Sequence, residues 1–211
     1  MKRIYLVRHG ETNSNLKQTW RTASECLTTN GIEQAKKAAQ RVSSLPIDRM
    51  YASTAERTMK TAEIICENSD LTFEGNALFY EEKTPTSIQG LIHEKKPDNP
   101  IEQYIQALLT NSEDPDFHYE DEENLFERKV RIQKILAFLT EAPEDNILVV
   151  THGNILKMLA AYIILGPDCT AKELYLCSQR LKTSNTGITL LEYTSDAWRM
   201  LIWNDHQHFA E

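Results

Sequence analysis

No stretch of this 211-residue chain is both long and apolar enough to cross a bilayer, which takes about 20 predominantly apolar residues. The opening MKRIYLVRHG also lacks the run of about seven uninterrupted apolar residues that forms a signal-peptide core. Together these absences predict a soluble, cytoplasmic protein. Cysteine is scarce. Cys26, Cys66, Cys169 and Cys177 form no CxxC pair and have no histidine at zinc-site spacing, so free thiols in a reducing compartment are expected rather than a disulfide framework or a structural metal. Seven glycines and seven prolines leave no low-complexity tract, and no internal repeat is visible. Basic residues are in the minority, 23 against 31 acids, for a net charge of −8. Such a surface argues against nucleic acid or an anionic membrane as partner, although clustered arginines can still make one pocket positive.

What is present alternates. Ile4 to Val7 reads as a buried strand, and Ile32, Ala35, Ala39, Val42 and Leu45 recur at helical spacing up to Pro46, with Thr28 or Asn30 as the cap. A short strand at 48–52 and a helix at 55–68 follow. Residues 83–124 differ in texture. Four prolines and the acidic run Glu120-Asp121-Glu122-Glu123 surround one helix at 101–109, and there are too few large apolar residues for a separate domain. This predicts one domain over 1–211 with a lid-like insertion at about 83–124, its acidic run facing solvent. A helix from Leu125 to near Pro143 leads into the strand NILVVT (146–151), whose near-continuous apolar character requires cover on both faces. A helix at 155–165, stopped by Gly166-Pro167, precedes strands at 188–193 and 198–203 joined by a Ser195-Asp196 turn. This order predicts an α/β fold with a mainly parallel sheet, helices on both faces and an antiparallel hairpin at the end.

Ligands in such sheets sit beyond the carboxyl ends of the strands. Three polar constellations fall there: Arg8-His9-Gly10, Ser53 to Arg57, and Thr151-His152-Gly153. Arg8 and Arg57 offer planar donor forks suited to phosphoryl oxygens. Arg57 also falls in the first turn of a helix, where free N–H groups favour an anion. A neutral imidazole between guanidinium groups can attack phosphorus, and the arginines then hold the charge of the equatorial oxygens. Glycine after each histidine lets backbone approach a ligand closely. A proton for the leaving oxygen has to come from a carboxyl group, with Glu81 and Glu82 as candidates.

These residues resemble the histidine phosphatase superfamily, also called phosphoglycerate-mutase-like. Arg8 to Thr12 with Asn15 is similar to its RHGET-x-x-N signature, and Leu27-Thr28 with Gly31, Gln34 and Ala35 to its LT-x-x-G-x-x-QA. Ser53, Arg57, Thr61 and Ala62 resemble its second arginine motif, Val150 to Gly153 its second-histidine motif, and Asn185 to Thr189 the segment entering its last core strands. The resemblance implies a three-layer α/β/α sandwich around a mainly parallel central sheet, and no metal or other cofactor. It implies His9 as the phosphorylated residue, and Arg8, Arg57 and His152 as the phosphate pocket, with His152 also counted among the catalytic residues and Asn15 lining that pocket. For the acid, Phe79-x-Glu81 favours Glu81, whereas counting back eight from Gly90 favours Glu82.

Two departures matter. Arg21 stands where many members have glycine, so either the loop takes another path or Arg21 contacts substrate. The stretch KTPTSIQG replaces the tyrosine-containing YGxLQG of mutase members, which favours hydrolysis. The resulting expectation is a metal-independent phosphatase that hydrolyses a small phosphorylated substrate through a phosphohistidine on His9. A phosphoglycerate-type mutase and a non-catalytic phospho-ligand binding module are the alternatives.

Overall fold

A computed structural model describes residues 1–20 and 24–209. The chain runs β1 (Lys2–Arg8), α1 (Asn13–Lys17), α2 (Thr29–Val42), β2 (Arg49–Ala52), α3 (Glu56–Glu67), β3 (Phe73–Gly75), α4 (Pro100–Thr110), α5 (Leu125–Glu141), β4 (Asn146–Thr151), α6 (Gly153–Leu165), α7 (Ala171–Ser178), β5 (Ile188–Thr194) and β6 (Ala197–Asp205). The strands form one sheet in the order β3-β2-β4-β1-β5-β6. The first four in that order are mutually parallel, while β5 runs antiparallel to β1 and to β6. The α/β sandwich read from the sequence is therefore the observed architecture. Among the described residues, no helix is long and apolar enough to cross a membrane.

Alternation along the central strands feeds two cores. Ile4, Leu6, Ile147 and Val149 pack beneath α5 and α6 with Ile132, Ile135, Leu139 and Leu159. Tyr5, Val7, Leu148 and Val150 face the other way, onto Ala39 and Val42 of α2 and Ala62 and Ile65 of α3. Both faces are covered, so the central strands are apolar at every position. Each Ile or Leu fully removed from water contributes about 1.5–3 kcal/mol. Trp198, Met200 and Trp203 lie half-buried against the first core and cover the sheet. The β5–β6 turn has Ser195 and Asp196 both in the left-handed region, at φ 50° and 58°, as a two-residue hairpin matched to strand twist requires.

Several elements differ from the sequence reading. Helix α2 starts at Thr29 on Thr28, one of the two expected caps, whose side chain accepts from the Gly31 N–H at 2.9 Å. It ends at Val42 rather than Leu45, where the Ser43 and Ser44 hydroxyls donate back to the Gln40 and Arg41 carbonyls. Helix α7 falls in a stretch with no predicted element, although Thr170 and Glu173 form a capping box at its start.

The 83–124 segment builds a third cluster, with Ile88, Ile101, Tyr104 and Leu108 against Leu125, Ala171 and Tyr175. Half of its acidic run is the expected solvated face, Glu120 and Asp121 being exposed, and half is not. Glu122 is buried and accepts from the Tyr119 and Glu120 N–H groups, and Glu123 pairs with Arg131. Asp121 accepts from Thr86, and Glu120 from Ser87. The four acids meet donors from within the segment and, through Arg131, from α5, so they tie the segment together and to that helix.

Candidate active site

Strand register brings the three polar constellations to one rim. Val7 and Arg8 pair with Val150 and Thr151, and Ala52 pairs with Val150 from the other side. Beyond the last pairs the backbones stay joined, with the His9 N–H donating to Thr151 O at 3.0 Å and the Ser53 N–H to Val150 O at 2.9 Å. His9, Ser53 and His152 thus leave the sheet side by side from three adjacent parallel strands.

The His9 ring is buried and lies edge-on to that of His152, 5.4 Å between centroids. Its Nδ1 is 2.7 Å from Gly10 O. A carbonyl only accepts, so Nδ1 carries the proton and Nε2 holds the lone pair. Burial holds the His9 pKa well below the ordinary histidine value of 6.5, and the nearby His152, Arg57 and Arg8 add to the effect. The ring is kept neutral, which leaves Nε2 its lone pair.

Arg57, in the first turn of α3, is buried and donates from Nη2 to His152 Nδ1 at 3.1 Å. Guanidinium only donates, so His152 Nδ1 accepts and the proton sits on Nε2, which is 2.7 Å from Ser53 Oγ. Arg57 therefore fixes the tautomer of His152, and the Ser53 hydroxyl accepts the remaining ring N–H. Arg8 donates from Nη1 to Thr183 O at 2.8 Å. A Cβ on Gly153 would come within 3.3 Å of Arg8 Nε, so glycine there makes room for the guanidinium.

Gly10 has a different reason from the one read in the sequence. A Cβ on Gly10 would overlap the Gly31 carbonyl oxygen, and one on Gly31 would overlap that of Glu11. The two glycines are small because two backbones cross there.

The neighbouring acids part company. Glu81 lines the cavity, and its carboxylate accepts from the N–H groups of Asn154 (3.1 Å), Ile155 (3.2 Å) and Glu82 (3.1 Å). It thereby satisfies the open N–H groups at the start of α6. Glu82 points elsewhere, ion-paired at 2.9 Å with buried Arg128.

The cavity above His9 encloses about 460 Å³ and is walled by Arg8, Arg57, Glu81 and Asn15 among others. Asn15 is held there by accepting from the Thr12 N–H and from Asn185 Nδ2, which also donates to His9 O. Arg21 lies outside the described residues. Trp20, Asn154, Lys157, Lys182 and Thr183 also reach the cavity and were not singled out from the sequence. Asn154 carried a signal, its place right after His152-Gly153; Lys182 and Thr183 lie in an irregular segment with no pattern to mark them.

Comparison with known proteins follows the same lines. A family model described as histidine phosphatase superfamily (branch 1) matches residues 4–206. The "Probable phosphoglycerate mutase GpmB" of Enterobacter sp. (strain 638) is 29% identical over 208 residues, covering 96% of this chain and 90% of that protein. Among solved structures, the phosphoserine phosphatase of Entamoeba histolytica, in complex with phosphoserine, superposes with a TM-score of 0.79 at 22% identity, covering 99% of both chains. The alpha-ribazole phosphatase of Shigella flexneri superposes with a TM-score of 0.77 at 20% identity, covering 96% of each.

Proposed function

The chain belongs to branch 1 of the histidine phosphatase superfamily, and from that premise we propose that it is a phosphoric monoester hydrolase working without a metal through a phosphohistidine on His9. The observation that carries this reading is the His9 Nδ1–H bond to Gly10 O, which leaves Nε2 as the lone pair in a cavity shared with Arg8, Arg57 and Glu81. Nε2 attacks phosphorus and the P–O bond to the leaving group breaks. The Glu81 carboxyl gives its proton to the departing oxygen, and Gly10 O holds the positive charge the ring acquires. Water then attacks phosphorus, Glu81 takes up the water's proton, the P–N bond breaks and neutral His9 returns. Arg8 and Arg57 face the equatorial oxygens throughout, while His152, fully buried with its ring nitrogens engaged by Arg57 and Ser53, holds Arg57 in place.

A cavity of about 460 Å³ suits a small phosphorylated molecule. The 83–124 segment reaches it through Trp20, which lines the cavity: Gly90 N–H donates to Trp20 O and Trp20 N–H to Leu91 O, both at 2.7 Å. That segment therefore acts on leaving-group selection, as a lid-like insertion of the same single domain.

The test is incubation with an aryl phosphate in chelator, followed by rapid quench. Wild type yields an acid-labile, base-stable phosphoenzyme and free phosphate; His9→Ala yields neither, and turnover that survives His9→Ala refutes the assignment. The relatives named as mutases favour a second reading. Isomerised phosphoglycerate in place of released phosphate would select it.

A further inference from the structure

The chemistry above leaves Glu82 unused, yet its carboxylate is one half of a buried ion pair: Glu82 is 7% exposed and Arg128 2%. We propose that Glu82, Arg128 and Tyr104 are positioning residues that aim the Glu81 carboxyl, making the 83–124 insertion part of the acid's support rather than a hinged cover. The proposal rests on the reading of Glu81 as proton donor.

Two links connect Glu82 to its neighbour's carboxyl. The Glu82 N–H donates to Glu81 Oε1 at 3.1 Å, so displacement of residue 82 turns the acid directly. The Glu82 side chain also accepts from Asn154 Nδ2 at 2.6 Å, while the Asn154 N–H donates to Glu81 Oε2 at 3.1 Å. Asn154 thus binds both carboxylates, one through its side chain and one through its backbone, and its place at the cavity wall depends on both.

The outer end of the chain is as well tied. Arg128 donates from Nη1 to Glu82 Oε2 at 2.9 Å, from Nη2 to the Tyr104 hydroxyl at 2.5 Å, and from Nε to Glu123 O at 2.8 Å. Tyr104 lies on α4 and Glu123 at the end of the insertion, so one guanidinium joins the acid's segment to both. Tyr104 is itself buried in the insertion's apolar cluster. Burial pushes its phenol well up, so it meets Arg128 as neutral O–H. A buried charge stripped of one partner is costly, so this array holds a single arrangement rather than loosening by degrees. A lid swinging on a hinge would have to take Tyr104 off Arg128, and the geometry opposes that.

A merely structural pair and a positioning pair differ in leaving-group dependence. p-Nitrophenolate departs without a proton, whereas the alkoxide of ethyl phosphate needs one. The experiment measures phosphoenzyme formation by rapid quench for both esters in wild type, Glu82→Gln and Tyr104→Phe, normalised to the p-nitrophenyl phosphate burst amplitude so that only folded sites count. The expected result is a loss of about tenfold or more on ethyl phosphate, within the about 10²- to 10⁴-fold that a placed proton donor supplies, with p-nitrophenyl phosphate within about twofold of wild type. Equal losses on both esters, or none on either, overturn the proposal. Tyr104→Phe retains the ring packing and carries the test if Glu82→Gln does not fold. Absence of phosphohistidine in wild type with either ester is a different failure, that of the phosphatase reading itself.

Discussion

The carbonyl of Gly31 occupies the space that a side chain on Gly10 would need. Each of the two glycines lies where a Cβ would run into backbone, Gly31 O in one case and Glu11 O in the other. The crossing fixes the loop after β1 against the start of α2, and a second bond supports it: the Gly10 N–H donates to Thr61 Oγ1 at 3.1 Å.

Gly10→Ala and Gly31→Ala are therefore each expected to destabilise the fold by about 1–3 kcal/mol, because backbone, unlike a flexible side-chain tip, cannot turn aside. In a chain of this size that corresponds to a fall in Tm of about 2–4 °C per kcal/mol. The double variant loses less than the sum, since the first methyl already forces the two backbones apart. Thermal denaturation of the two singles and the double checks both points. Gly10→Ala also lowers kcat, since it moves the carbonyl that holds the His9 tautomer.

The His9 pKa gives a pH dependence of definite sign. Burial, with His152, Arg57 and Arg8, depresses it in the folded protein below 6.5. Above that value His9 is neutral in both folded and unfolded states and contributes nothing to the slope. As pH falls below it, the unfolded chain takes up a proton that the folded chain refuses, so stability declines until the folded pKa is reached. His9→Asn removes that part of the decline, as urea midpoints measured from neutral to acidic pH would show. Activity follows the same group: the acidic limb assigned to His9 in kcat/KM lies below 6.5.

Ser53 and Arg57 act on His152 from opposite sides, one receiving Nε2–H and the other donating to Nδ1. Ser53→Ala strips the ring N–H of its acceptor in a buried site, at a cost of about 1–3 kcal/mol. Imidazole ¹⁵N shifts report the outcome: Ser53→Ala keeps the Nε2–H tautomer that Arg57 imposes, as in wild type, but with lower kcat. Arg57→Lys keeps the charge but loses the planar fork, and a fall in kcat/KM of about 10²-fold is expected. Steady-state kinetics on the aryl ester would show it; a lysine that serves as well as arginine would mean that charge alone suffices.

The sheet and most of the rim were legible because strand physics writes them twice. Ile4–Val7 and NILVVT are apolar at every position, since both faces are covered, and each breaks off abruptly into a histidine and a glycine. The choice between Glu81 and Glu82 was not legible. The two are neighbours in an irregular segment, and which one meets the N-terminus of α6 depends on Arg128, 46 residues beyond Glu82. The acidic run at 120–123 was only half legible, Glu120 and Asp121 facing solvent and Glu122 and Glu123 not, for a related reason. Composition marks a charge cluster as solvated, and nothing local reveals that Arg131, Thr86, Ser87 and the cluster's own N–H groups will meet it. Helix α7, eight residues long, has too short an apolar period to stand out from its surroundings.

The pairing of Arg3 with Asn146 and with Glu192 has a consequence for how the molecule comes into being. Both sheet neighbours of β1, the strands β4 and β5, lie far along the chain from it, so on a growing polypeptide Ile4–Val7 waits with two unsatisfied edges and an apolar surface. Closing so long a loop is slow, which makes this interval the chain's most aggregation-prone. His9 meets His152 only when it ends. A growing chain thus holds the proposed nucleophile well before it holds the rim that would use it.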